Sequence, residues 1–174
     1  MRAKSSRMGL AFLTLVAAWG FSVVHADEAG RLSLRGLQGT AVEVTGSGTE
    51  IEQDGLTDTQ LKNEVESKLR KAGISVLSNV SEAPGYPLLS LIVNLVKCGG
   101  ELSGLYACSV QLLLSQSVIL ERDASISVPS QTWHSKTVAG VIGREKLSTV
   151  RSHAASLVEE FVSDYLAVNP KIQR

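Results

Sequence analysis

The sequence predicts an α+β fold, a two-layer sandwich in which a mainly antiparallel sheet of about four to five strands carries two amphipathic helices on one face. Two strands are indicated by the alternation of apolar and polar residues over 88–96 and 105–122, and the glycine-rich stretch between them is typical of a hairpin. Two helices are indicated by apolar residues that recur every three or four positions over 57–72 and over 144–169. Because each helix has a single apolar stripe, both are expected to cover the same sheet face.

The segment from Met1 to Ala26 predicts a secretory signal peptide. Three basic residues within the first seven precede an apolar run over 8–24, and the small residue Ala26 follows just before Asp27. An uncleaved membrane anchor is the alternative, but the run is about 17 residues long and broken by glycines, whereas a spanning helix needs ~20 apolar residues. The chain is therefore expected to be periplasmic or secreted and not membrane-spanning after cleavage, with residues 27–174 forming a single α+β domain.

The charge balance argues against nucleic acid as a partner. The chain has 17 basic and 17 acidic residues, and the predicted signal peptide removes three basic residues and no acidic ones, which leaves 14 against 17. The remaining basic residues are scattered, and Trp133 is the only tryptophan beyond the signal. Proteins that bind nucleic acid usually show a basic patch with stacking aromatic residues.

The first helix has a clear start and end in the sequence. Thr57 and Gln60 form a capping box, and Gly73 follows the last apolar position as a left-handed C-terminal residue. Leu61, Val65 and Leu69 define its apolar stripe. Its charged residues are expected to form a solvated face.

Shorter elements are predicted around these. The polar stretch 27–31 is expected to be a loose terminus, 32–44 a first strand with a bend at its glycines, 46–49 a turn and 74–77 a short strand. Pro129 is expected to break the chain before another strand over 132–138. The second face of the sheet is expected to be partly polar, or else covered by a partner; the residues that suggest a polar face are Ser90, Asn94, Gln111, Ser115 and Ser117.

Cys98 and Cys108 are expected to form a structural disulfide, because two nearby cysteines in an oxidising compartment usually pair. Cys108 shares the apolar parity of its strand and Cys98 does not. The pairing therefore requires a bulge near Gly99 and Gly100, or a bridge that lies in the loop.

The sequence offers no set of residues that specifies a reaction, a cofactor or a metal site. His134 could serve a hydrolase, but no Gly-x-Ser-x-Gly elbow accompanies it, and His153 is expected to lie on the surface of the last helix. Trp133 could anchor a partner, although a core aromatic beneath a helix is the alternative that burial statistics favour.

The last third of the chain resembles a family of small uncharacterised exported bacterial proteins. The similarity is carried by Thr132-Trp133, by 140–143 and by 161–170, with 55–57 and 72–74 earlier in the chain. The architecture that this resemblance implies is similar to α/β domains of periplasmic envelope proteins, such as the amino-terminal domain of TolB and the lipoprotein that assists lipopolysaccharide assembly. The chain departs from that lipoprotein because the residue directly after the predicted cleavage site is Asp27 and not the cysteine that would carry the lipid.

These observations favour an exported soluble accessory or binding module that acts through an unknown protein or envelope component, without catalysis and without a cofactor. Two alternatives stay open at this point. One is a hydrolase that uses His134, and the other is a self-associating structural subunit.

Overall fold

The sheet is mostly antiparallel, as the sequence predicts. The computed structural model describes residues 26–46, 52 and 55–170. Within them the sheet has five strands. Four of them lie in the order β1-β2-β3-β4, and β5 also pairs with β3. The strand bounds are β1 Ala41–Thr45, β2 Leu88–Lys97, β3 Leu105–Leu120, β4 Asp123–His134 and β5 Val138–Gly143.

Three α-helices accompany the sheet in the described residues: α1 Ala26–Leu32, α2 Asp58–Ala72 and α3 Ser148–Val168. Short 3₁₀ turns lie at Val80–Glu82, Gly100–Leu102 and Arg144–Lys146. The predicted α+β class and the two amphipathic helices are confirmed. The predicted signal peptide, up to residue 25, and residues 47–49 of the predicted turn lie outside the described residues.

Helix α2 begins and ends as its sequence predicts. The Thr57 hydroxyl oxygen accepts a hydrogen bond from the Gln60 N–H across 3.2 Å. Gly73 ends the helix in the left-handed region at φ +83°, and its N–H donates to the carbonyl oxygens of Leu69 and Arg70. Because α2 lies between β1 and β2, these two strands can pair in parallel, with Val42 opposite Leu89.

The core lies between the sheet and the helices. Strands β2 and β3 pair antiparallel in one continuous register, with Leu91 opposite Leu112 and Val93 opposite Val110. All four of these side chains have 0% of their surface exposed, and so does Phe161 on α3. The alternation predicted for both strands is confirmed, since one face of each is buried against the helices.

The amino-terminal elements differ from the prediction. Residues 26–32 form α1 rather than a loose terminus, so the predicted strand over 32–44 shortens to Ala41–Thr45. Tertiary contact explains the short helix, because the Ser33 hydroxyl donates to the Thr132 carbonyl oxygen across 3.1 Å and Gly30 lies beside Trp133. The predicted strand over 74–77 is reduced to one bridge, between Thr40 and Val76.

The region from β4 to β5 also differs. Strand β4 runs through Pro129, which is tolerated because β4 lies at the edge of the sheet. The predicted strand over 132–138 forms only in part, because β4 ends at His134 and β5 begins at Val138. Between them the ladder is continued by Ser135, whose N–H donates to the Leu112 carbonyl oxygen and whose hydroxyl accepts from the Leu112 N–H.

The predicted disulfide between Cys98 and Cys108 is wrong for this structure, in which both cysteines are unbonded. The Cys98 N–H donates to the Leu105 carbonyl oxygen, which places Cys98 opposite Leu105, whereas Cys108 lies opposite Leu95. The two α-carbons are thus separated by three residues of strand, or ~10 Å, and a disulfide needs less than ~7 Å. The register of β2 and β3 has no bulge that would bring them together.

Candidate functional site

Trp133 lies in the core and has only 3% of its surface exposed. Its ring packs edge-to-face on Phe161, with centroids 5.0 Å apart and an interplanar angle of 77°. The ring is therefore part of the core, which is the alternative that burial statistics favour, and it presents little surface to a partner.

The indole N–H of Trp133 is satisfied by Asp164 on α3. The Nε1–H donates to Asp164 Oδ2 across 2.9 Å, and Asp164 Oδ1 lies 3.3 Å from Arg31 Nε. The Arg31 Nε–H makes no hydrogen bond of acceptable direction, so the second contact is an ion pair at a half-exposed surface, which contributes little. One carboxylate thus joins α1, β4 and α3.

The carboxyl end of α3 holds the segment that follows α1. The Asn169 side chain accepts from the Gly36 N–H across 2.7 Å and donates to the Leu34 carbonyl oxygen across 2.8 Å. The Tyr165 hydroxyl donates to the Leu37 carbonyl oxygen across 3.0 Å. These contacts are structural. The sequence identified Asn169 only as the residue at which the last helix ends.

His134 is exposed, and among the described residues it is not paired with a carboxylate or a serine hydroxyl. Its Nδ1 lies 3.2 Å from the carbonyl oxygen of Ser135. The Ser135 hydroxyl accepts from the Leu112 N–H across 2.9 Å and donates to the Lys136 carbonyl oxygen, and the residue is 1% exposed. Ser135 therefore serves the sheet and is not placed as a nucleophile for His134.

The described part of the chain shows neither a cluster of metal ligands nor a helix that could span a membrane. No group of three or more His, Cys, Asp or Glu side chains there could hold a metal ion. His153, which the sequence places on the last helix, is half-buried on α3. Over the same residues, no helix combines the length and apolar character needed to cross a membrane.

An open groove of about 570 Å³ lies between α2 and α3. Charged side chains bridge it, since Arg151 pairs with Glu64 and Lys68 pairs with Glu159. The Glu64 carboxylate raises the pKa of Arg151 above its ordinary value by hydrogen bonding and charge attraction. The polar walls of this groove are thus largely paired with one another, and they offer little unpaired charge to a ligand.

A two-stranded ribbon, residues Ser117–Val128, extends the sheet beyond its core. The buried inner row of β3 and β4 ends at the pair Leu114 and Trp133, and none of the residues from 115 to 132 is buried. Val118 and Leu120, which the sequence places on the core parity, are only half-buried for this reason.

The ribbon nevertheless carries branched aliphatic side chains. Val118 pairs directly with Val128, and Ile119 pairs with Ser127. Ile119 has 66% of its surface exposed and Ile126 has 38%. The aliphatic residues of the ribbon are Val118, Ile119, Leu120, Ile126 and Val128. Val118 and Val128 share one face of the ribbon, and Ile119 lies with Ser127 on the other face. The core covers neither face. Of these residues the sequence assigns only Val118 and Leu120 to the parity of the core, because alternation does not locate the end of the helix layer.

The turn of the ribbon is polar and locally ordered. Asp123 Oδ1 accepts from the Ser125 N–H across 3.0 Å and from the Ser125 hydroxyl across 2.6 Å. These two hydrogen bonds lower the pKa of the Asp123 carboxyl below its ordinary value. Glu121 and Arg122 complete the tip, so the ribbon ends in three charged residues of both signs.

Comparison with known proteins finds only solved structures of low similarity. No protein-family model matches the chain, and no curated protein matches it in sequence. Rare lipoprotein B from Shewanella oneidensis is 10% identical, with a TM-score of 0.36 over 78% of this chain and 100% of that one. A minor lipoprotein from Acinetobacter baumannii is 12% identical, with a TM-score of 0.35 over 76% of this chain and 94% of that one. Similarities this low decide nothing about the function of this chain.

Proposed function

We propose that this chain is an exported accessory or binding module, and that it acts by contact with a protein or another envelope component rather than by catalysis. The contact element is the ribbon, Ser117–Val128. The predicted signal peptide at 1–26 supports export. The observation that carries the proposal is the exposure of the ribbon's aliphatic side chains beyond the core.

An isolated two-stranded hairpin is marginally stable in water, and exposed aliphatic clusters commonly mark contact surfaces. Burying the side chain of Ile119, which is now 66% exposed, would contribute on the order of 1 to 2 kcal/mol to binding. The charged tip at Glu121, Arg122 and Asp123 suits the polar rim that surrounds the apolar centre of a protein interface.

The hydrolase alternative is the weaker one. His134 lacks a serine hydroxyl or a carboxylate within hydrogen-bonding distance among the described residues, and the neighbouring Ser135 hydroxyl is committed to the backbone. His134→Ala is therefore expected to leave the properties of the protein unchanged. If the purified protein has a hydrolytic activity that this substitution abolishes, the binding-module proposal fails.

Substitution in the ribbon tests the proposal. A partner is first identified by crosslinking in the cells that produce the protein, and its affinity for the purified chain is then measured. Ile119 shares a face of the ribbon with Ser127, and Ile126 lies on the other face. At least one of Ile119→Asp and Ile126→Asp is therefore expected to weaken binding by at least about tenfold, because it places a charge at an apolar contact. Leu102→Asp is the matched control, since Leu102 is 56% exposed and lies outside the ribbon.

All three positions are exposed, so the variants should fold like the wild type, which circular dichroism and thermal unfolding can establish. If both ribbon variants bind the partner as tightly as Leu102→Asp does, the ribbon is not the contact element.

A further inference from the structure

The sheet face opposite the helices is open to solvent but carries almost no charge. This outer face consists of the outward side chains of β2, β3 and β5. Its residues are Ser90, Ile92, Asn94, Val96, Ala107, Ser109, Gln111, Leu113, Ser115, Ala139 and Val141. None of them is charged, and at the neighbouring β1 edge Glu43 is the charged side chain that lies opposite Ser90.

The helix layer has the opposite composition. On α2 and α3 the solvent side carries ion pairs such as Lys68 with Glu159 and Arg151 with Glu64. The described chain therefore concentrates its charge on one side and leaves the other side neutral. Depletion of charged residues is what distinguishes the centre of a protein interface from the rest of a protein surface.

Apolar side chains on the outer face are aligned across strands. Val96 lies opposite Ala107, and Ala107 lies opposite Val141. Val96 is 65% exposed and Val141 is 62% exposed. The neighbouring row is polar and internally paired, since Asn94 Nδ2 donates to the Ser109 hydroxyl oxygen across 3.2 Å. The face therefore combines apolar area with neutral hydrogen-bonding groups.

The outer face is large enough for a specific interface. Strand β2 has 10 residues, or ~33 Å at the usual rise per residue. The three strands of the face lie side by side at about 4.8 Å spacing, which gives a width of ~14 Å and a projected area of roughly 480 Å². Two such faces would bury about 960 Å² by projection and more over the pleated surface, and a specific interface needs about 1,000 Å² in total.

We propose that the outer face packs against the same face of a second copy of this chain, in a two-fold symmetric dimer with the helices on its two outer sides. A two-fold interface brings identical patches together, so a charged face would repel itself, whereas this one has no like charges to oppose. Sheets packed in this way lie about 10 Å apart with their strands rotated by about 30°.

The oligomeric state of the whole chain, expressed with its own leader and purified, tests this proposal. Sedimentation velocity and light scattering should show the mass rising towards that of two chains between about 1 and about 100 μM, because an interface of this size is expected to bind with micromolar affinity. Ser109→Lys places a cation in the middle row of the face and should raise the dimer dissociation constant by at least about tenfold. Ser156→Lys makes the same change at an exposed position on α3 and should leave the dimer intact.

A monomeric wild type at the highest concentration overturns the proposal, and so does a Ser109→Lys variant that dimerises as well as Ser156→Lys does. If Ser109→Lys fails to fold, Asn94→Lys takes its place, because Asn94 is exposed in the same row. These variants lie outside the ribbon. The dimer can therefore fail while the ribbon proposal stands, and the ribbon proposal can fail while the dimer stands.

Discussion

The indole N–H of Trp133 donates to the Asp164 carboxylate across 2.9 Å and so ties the end of β4 to α3. Asp164→Ala removes the acceptor of a donor that is buried with its ring, and it should lower the free energy of unfolding by about 1 to 3 kcal/mol. Asp164→Asn keeps an acceptor oxygen and should cost less. Urea unfolding followed by circular dichroism measures both, and equal losses would mean that the ion pair with Arg31, rather than the indole bond, matters most.

The buried stripe of α3 leads to a second prediction. Leu157 is 3% exposed and Phe161 is 0% exposed, and Phe161 contacts the ring of Trp133. Leu157→Ala should lower the free energy of unfolding by about 2 to 5 kcal/mol and Phe161→Ala by about 3 to 5 kcal/mol. Ser156→Ala, on the exposed side of the same helix, is the control and should change it by less than about 0.5 kcal/mol. Losses below ~1 kcal/mol at both core positions would show that α3 does not cover the sheet.

A third prediction concerns the junction between β4 and β5. Ser135→Ala leaves the buried N–H of Leu112 without the hydroxyl acceptor that it has in the wild type, and it should cost about 1 to 3 kcal/mol in unfolding free energy. Ser163→Ala, at an exposed position on α3, serves as the control. If the two variants unfold at the same urea concentration, Ser135 does not support the ladder.

A fourth prediction concerns the two thiols. Because Cys98 and Cys108 are unbonded and too far apart along the hairpin to pair, thiol titration of the unfolded, unreduced protein should give two free thiols per chain. In the folded protein Cys98, which is half-buried, should react faster than Cys108, which is 7% exposed. A reducing agent should leave the urea midpoint unchanged. A titration that finds no free thiol would contradict the register of β2 and β3.

Much of the fold could be predicted from local sequence signals. The alternation over β2 and β3, the cap at Thr57 and the left-handed Gly73 are determined by neighbouring residues, and the structure confirms all three. Helix α1 could not be predicted in this way, because its sequence is short and polar and its stability comes from contacts with Thr132 and Trp133, which are distant in the chain.

The ribbon shows the same limit of prediction from local sequence patterns. Alternation indicates which side of a strand an aliphatic residue occupies, but it does not indicate where the covering helices stop. Val118 and Leu120 therefore have the pattern of core residues although they lie beyond the core. The disulfide prediction failed for a related reason. An oxidising compartment and a short separation in sequence favour pairing of two cysteines, but the register of β2 and β3 decides whether they are close enough to bond.

Site-specific photo-crosslinking in the cells that produce the protein tests the proposed contact role most directly. A photoreactive amino acid is placed in turn at Ile119 and at Ile126 in the ribbon, and at Ser156 on the exposed side of α3 as the control. The ribbon positions should give a defined adduct with another protein or envelope component, and Ser156 should not. If neither ribbon position gives an adduct beyond the Ser156 background, the ribbon does not bind a partner and the proposed function is contradicted.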